Sequence, residues 1–223
     1  MGKLFVIEGT DGSGKATQVE LLRKRLSEEG MNIRKISFPQ YDSDSSALIK
    51  MYLHGDFGTN PSDVNPFAAS VFYAVDRYAS FAQRWGKDYN NGDIIIADRY
   101  TTSNAVHQAA KLTGKEQIDF FQWLYGLEFG RMGLPKPDCV IYLDVPTHIT
   151  ERLMRKREHD TNTKADIHEK ASDYLRISRE TGLKASAYYG WHVVNCAKND
   201  ELRTIQDIHE EVYSIVQKYI KEV

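Results

Sequence analysis

Sulfur is scarce in this chain: 223 residues contain two cysteines, Cys139 and Cys196, and no CxxC pair. That excludes a dithiol redox motif and a disulfide framework. Both cysteines sit in apolar, strand-like runs, where buried free thiols are expected, and a reducing cytoplasm is the natural home for them. An excess of charge of one sign is also missing. Lys and Arg number 29 against 31 Asp and Glu, giving a net charge of −2 and a pI near 6.4. With no basic surplus to hold a polyanion, nucleic acid is not expected as a partner. No apolar run approaches the ~20 residues that span a bilayer. The N-terminus runs straight into a strand pattern with no signal peptide, so no membrane association is expected. Internal repeats and low-complexity tracts are lacking as well, so nothing points to a repeat architecture.

What remains is ordinary for a globular protein: 41% apolar and 27% charged residues. The length suits one compact domain over residues 1–223, with room for a small lid. Strand and helix patterns alternate along it. Leu4–Ile7 is a β-rich run, followed by a glycine-rich turn and a helical stripe of Val19, Leu22 and Leu26, with Gly30 as its C-terminal stop. Strands are expected at 32–38, 94–97, 139–143 and 191–196, and helices at 45–53, 67–89, 102–112, 115–129 and 201–223. Residues 147–187 read as helices interrupted by the polar stretch His159–Lys164. Ile94-Ile95-Ile96-Ala97 is apolar throughout, the pattern of a strand covered on both faces. Strand–helix repetition without hairpin signals predicts a parallel sheet of about five strands with helices on both sides.

Gly9-Thr10-Asp11-Gly12-Ser13-Gly14-Lys15 fits G-x-x-x-x-G-K between a predicted strand and a predicted helix, the context a phosphate-binding P-loop requires. Glycines let the backbone curl so that successive N–H groups point at phosphate oxygens, and the following helix adds the positive end of its dipole. Lys15 supplies a mobile positive charge for the β- and γ-phosphates of a nucleoside triphosphate. The next position normally carries a Ser or Thr hydroxyl that ligates Mg²⁺, but here it is Ala16, and Thr17 follows. Either Thr17 or water takes that role, or metal binding leans on carboxylates. Asp98-Arg99 closes a buried strand, at the sheet edge where ligands of open parallel sheets bind. An aspartate there can hold Mg²⁺ or its waters, and an arginine can clamp a phosphate with two parallel hydrogen bonds.

Further segments extend this pattern: Glu8 to Gln18, Phe38-Pro39-Gln40-Tyr41, Phe72 to Arg77, Asp98 to Asn104 and Gly133 to Asp138. In this order they resemble bacterial thymidylate kinase, of the nucleoside monophosphate kinase group, from the first strand to about residue 180. The resemblance implies a P-loop NTPase-type three-layer sandwich with a mobile lid at about 152–168, and transfer of the γ-phosphate of ATP, with Mg²⁺, onto dTMP. It implies phosphate contacts along Gly9, Thr10, Asp11, Gly12, Ser13, Gly14, Lys15, Ala16 and Thr17, with Asp98 and Thr17 toward the metal. It implies dTMP contacts at Asp11 (sugar), Phe38, Tyr41, Tyr73, Arg77 (thymine O4), Arg99 (phosphate) and Asn104, with His107 where relatives carry a ring near the sugar. Tyr73 and Arg77 share a helix face by their i, i+4 spacing; Tyr73 alone reads better as core, and the arginine four residues on favours a shared base pocket. Some relatives carry an arginine where this chain has Gly12, so the resemblance moves that charge to the lid. Arg155 and Arg157 are the candidates, and spacing does not choose between them; His168 and Glu169 also fall in the lid. Members of the family are typically homodimers, with the helix 67–89 a candidate interface. Two rival readings are a deoxynucleoside kinase acting on a 5′-hydroxyl and a non-catalytic nucleotide-binding regulator.

Overall fold

The computed structural model describes the backbone of residues 1–161 and 172–221, and the side chains of residues 1–155 and 173–221. The elements run β1 (Lys3–Glu8), α1 (Lys15–Glu28), β2 (Ile33–Ser37), α2 (Ala47–His54), α3 (Pro66–Ser80), α4 (Gly86–Asn90) and β3 (Ile94–Asp98). Then follow α5 (Thr101–His107), α6 (Gly114–Tyr125), β4 (Cys139–Asp144), α7 (Thr147–Thr161), α8 (Ser172–Tyr189), β5 (His192–Asn195), β6 (Ala197–Lys198), β7 (Glu201–Leu202) and α9 (Ile205–Lys221). Five strands form one sheet in the order β2-β3-β1-β4-β5, every neighbour parallel.

Alternation along each strand builds the two cores, because successive side chains leave opposite faces. In β1, Leu4 and Val6 join Ile95, Ala97, Val140 and Tyr142 beneath the helices α4, α5, α6 and α8. Phe5 and Ile7 join Ile96, Ile141 and Leu143 on the other face, under Val19, Leu22 and Leu26 of α1 and Val212 and Val216 of α9. These three layers are the expected sandwich, and both cysteines are buried free thiols within it.

Two departures from the sequence pattern reshape the chain most. The helix expected over 67–89 is continuous in direction but contains a π-helical turn at Phe81–Trp85 between α3 and α4. The extra residue brings Trp85 into the core, where it is fully buried against Phe81, Tyr89 and Tyr100. The expected terminal helix begins four residues late, because residues 197–202 fold into a small antiparallel hairpin, β6–β7. Its turn residues, Asn199 and Asp200, both take positive φ, 52° and 60°, as a two-residue hairpin turn demands.

Ile141 is fully buried in β4 between α1 and α9. Ile141→Ala should cost about 2–5 kcal/mol of folding stability. Chemical denaturation measures this, and a loss below about 1 kcal/mol would mean that the face is not packed as described.

Candidate active site

The carboxyl ends of β1, β2 and β3 bring three loops to one edge of the sheet. After β1 the chain turns through the P-loop. Gly12 there adopts φ 78°, and a Cβ on it would stand 2.8 Å from the Thr150 carbonyl oxygen of α7. A side chain at this position would therefore meet backbone as well as strain, which accounts for glycine where some relatives place arginine. Glu8, fully buried at the end of β1, ties this loop to the start of α5. One of its oxygens accepts from the Gly9 amide at 2.9 Å, and the other accepts from the Thr102 and Ser103 hydroxyls at 2.7 Å each.

Arg99 follows β3 with φ 68°, a left-handed conformation costing a non-glycine residue about 1–3 kcal/mol. Its guanidinium is gripped from several sides. Asp11 of the P-loop accepts from Nη2, and Glu8 lies 3.7 Å from Nη1. Nη1 also meets the Ser103 hydroxyl at 3.3 Å and His107 Nε2 at 3.1 Å. Burial alone would make this cation easier to discharge, but the carboxylates of Asp11, Glu8 and Asp98 outweigh it and raise its pKa.

Two cavities open on either side of Arg99 and Asp11, which line both. The first, of about 250 Å³, is walled by Phe38, Tyr41, Tyr73, Arg77, Tyr100 and Asn104, with His107 and Gln108 at its side. The second, of about 440 Å³, runs along the P-loop from Asp11 to Thr17 and past Asp98, with Leu153, Leu202, Ile205 and Ile208 forming an apolar flank. Every residue expected to touch the acceptor thus faces the first cavity. Tyr73 also packs on the small core of Tyr52, Val64 and Ala69, so its two readings are compatible. Asn104 is 2% exposed, and its amide nitrogen donates to the Ser70 carbonyl at 3.2 Å. Arg77 is buried in a two-pronged pair with Glu128.

Of the expected triphosphate contacts, Asp11 to Thr17 line the second cavity, while Gly9 and Thr10 line neither cavity. Lys15 Nζ donates to the Thr10 carbonyl at 2.8 Å. Burial, and then the Arg99 charge, lower the Lys15 pKa to about 8, against the pull of Asp11, Asp98 and Glu8. For Mg²⁺, Ala16 offers a methyl group, Thr17 an exposed hydroxyl, and Asp98 a half-buried carboxylate facing the same cavity as Lys15. Among the described residues no cluster of three His, Cys, Asp or Glu side chains is placed to hold a metal. One carboxylate still fits Mg²⁺, which keeps most of its waters and takes the rest of its shell from substrate phosphates. Arg155 is exposed on α7 and lines neither cavity. The Arg157 side chain, residues 162–168 of the expected lid, and His168 and Glu169 lie outside the described residues.

A family model described as thymidylate kinase matches residues 7–211. The chain belongs to the thymidylate kinase family. It is 32% identical to the thymidylate kinase of Mycobacterium tuberculosis over 194 residues, which covers 84% of this chain and 87% of that one. A probable thymidylate kinase of Saccharolobus solfataricus is 30% identical over 219 residues, 98% of each chain. The solved thymidylate kinase of Candida albicans superposes with a TM-score of 0.70 at 22% identity, over 98% of this chain and 92% of that one, which supports the fold. The activity is therefore phosphorylation of dTMP to dTDP with ATP as donor, by a nucleoside monophosphate kinase. Neither the deoxynucleoside kinase nor the regulator finds support in these matches.

The sequence pattern missed the burial of Glu8 and Glu128, which is invisible without their partners, and the β6–β7 hairpin that delivers Leu202 to the P-loop cavity. Only the Asn199-Asp200 pair in the hairpin gave a local signal, since both residue types tolerate positive φ.

Because a bound polyphosphate favours the charged ammonium, Lys15 must take up a proton when ATP binds above its free pKa. Calorimetry in buffers of differing ionisation enthalpy should show uptake rising toward about one proton between roughly pH 7.5 and 9, with affinity falling over the same range. Absence of uptake in Lys15-intact protein would show that the side chain is not the titrating phosphate contact.

Proposed function

We propose that this chain aligns dTMP and ATP end to end across Arg99 and Asp11, and that positioning and charge stabilisation carry the whole transfer. The observation that supports this is the shared wall: one arginine and one aspartate border both the aromatic cavity and the P-loop cavity. In this reading the P-loop amides and Lys15 hold the β- and γ-phosphates. Asp98, with the Thr17 hydroxyl nearby, would hold Mg²⁺, which would supply positive charge against the triphosphate. Arg99 clamps the dTMP phosphate, already oriented by its carboxylate neighbours, so little freedom is lost on binding. The acceptor phosphate is anionic near neutral pH and needs no general base.

The base lies among Phe38, Tyr41 and Tyr73. Asn104, its nitrogen committed to Ser70, turns its oxygen to pyrimidine N3–H, and Arg77 meets O4. Asp11 approaches the sugar 3′-hydroxyl. A lid over 152–168 brings Arg155 or Arg157 to the transferred group and excludes water, within a single 1–223 domain. Val71, Val75 and Tyr78 are 41%, 48% and 48% exposed on α3. Their i, i+4, i+7 spacing makes a stripe suited to a homodimer contact. No described helix is long and apolar enough to cross a membrane, and the unpaired cysteines suit the cytoplasm.

Purified protein with ATP should turn over dTMP far faster than thymidine, read by coupled ADP release. Preference for thymidine would overturn the assignment of Arg99 to an acceptor phosphate. Lys15→Ala should abolish transfer, and a near-normal rate would remove Lys15 from the mechanism. Light scattering should give twice the 25.5 kDa chain mass, and Val75→Glu should shift that toward the monomer. A wild-type monomer would dismiss the α3 contact.

A further inference from the structure

Arg77 and Glu128 differ from the other described ion pairs in being closed to solvent on both sides, at 2% and 0% side-chain exposure. Arg77 Nε donates to one Glu128 oxygen at 2.7 Å and Nη2 to the other at 2.6 Å. Nη1 donates to the Tyr100 carbonyl at 3.3 Å, and the Thr101 hydroxyl donates to the same Glu128 oxygen as Arg77 Nε, at 2.7 Å. Of the five N–H bonds of a guanidinium, two remain, one on each terminal nitrogen. Arg77 nevertheless lines the acceptor cavity. Glu128 stands on a π-helical turn, Gly126–Arg131, that continues α6, while Arg77 comes from α3 and Thr101 from α5.

We infer that Glu128 is a positioning residue for this reaction: it holds Arg77 edge-on and neutralised, so that the cavity presents a donor-only, uncharged edge to the base. The inference rests on the reading that this cavity takes the dTMP base. An unpaired arginine here would be a second phosphate clamp and would compete with Arg99 for the acceptor's anionic end. Arg99 is also paired, but its partner Asp11 is 22% exposed on the P-loop and can yield to phosphate. Glu128 is poorly placed to yield, because three donors fill its oxygens and its carboxylate is closed to solvent. The pair then favours a neutral carbonyl acceptor such as O4. It opposes an amino group at the same ring position, which would set donor against donor.

Glu128→Gln keeps the volume and replaces one acceptor oxygen by an amide facing the Arg77 donors. It should raise the dTMP KM by roughly tenfold to a hundredfold, leave the ATP KM and kcat nearly unchanged, and narrow the preference for dTMP over dCMP. It should also lower Tm, because a buried cation loses its partner. Combining it with Arg77→Met removes that cation, so Tm should recover while the dTMP KM stays high; a pair with no part in base binding would restore both together. An unchanged dTMP KM in Glu128→Gln, or a parallel rise for ATP, overturns the inference. Should Glu128→Gln fail to fold, Glu128→Asp, which withdraws the charge by one methylene, must raise the dTMP KM in the same selective way. Arg77→Met alone separates the two ideas. If it leaves the dTMP KM unmoved, Arg77 is not a base contact at all; if it raises the KM but Glu128→Gln does not, only the role of Glu128 falls.

Discussion

The guanidinium of Arg99, held between the carboxylates of Asp11 and Glu8, is the contact around which both cavities are arranged. It stands where two cavities meet, so a phosphate in either one feels the same charge. Keeping it there costs something locally, a non-glycine residue at φ 68°. The cost is met by the network around it: Asp11 from the P-loop, Glu8 from β1, and Ser103 and His107 from α5 all approach one side chain. Each of these elements is fixed by core packing on at least one side. A site that works by electrostatic positioning needs that rigidity, because fixed dipoles and charges stabilise a transition state only when they need not reorganise.

Strand order makes this meeting possible. β1 lies between β3 and β4, so the loops leaving β1 and β3 emerge side by side at the carboxyl edge. The P-loop leaves one and Asp98-Arg99 ends the other. Phe38 follows β2, the next neighbour, and lines the aromatic cavity. The helices α3 and α5 supply the remaining side chains from above that edge. The two cavities are thus built on neighbouring loops of one parallel sheet. Their different character follows from the lining: glycines, Lys15 and an apolar flank on one side, aromatics and amides on the other.

The two paired arginines that line the aromatic cavity differ in burial. Arg99 is partly open and its carboxylate partner sits on a loop, whereas Arg77 is sealed against Glu128. Breaking a buried pair of the second kind costs about 3–5 kcal/mol, so substrate phosphate has little prospect of displacing it. Two arginines of identical chemistry are therefore suited to different work because burial, rather than residue type, sets what each can release.

The amino-acid sequence alone determined the phosphate-binding loop, the alternation that yields two buried faces, and the family to which the chain belongs. Those signals are local: glycine spacing before a lysine, period-two apolar runs, and short segments in a recognisable order. The π-helical turn at Phe81–Trp85 was not legible, since a helix with one extra residue keeps nearly the same periodicity and only the Trp85 pocket demands the shift. Nor were the hairpin at 197–202 and the roles of Glu8 and Glu128. A buried carboxylate and a solvated one are written with the same letter, and what distinguishes them is a set of partners distant in sequence: Thr102 and Ser103 for Glu8, Arg77 and Thr101 for Glu128. Tertiary structure decided those assignments because the price of burying a charge is met only by donors that folding brings from elsewhere in the chain.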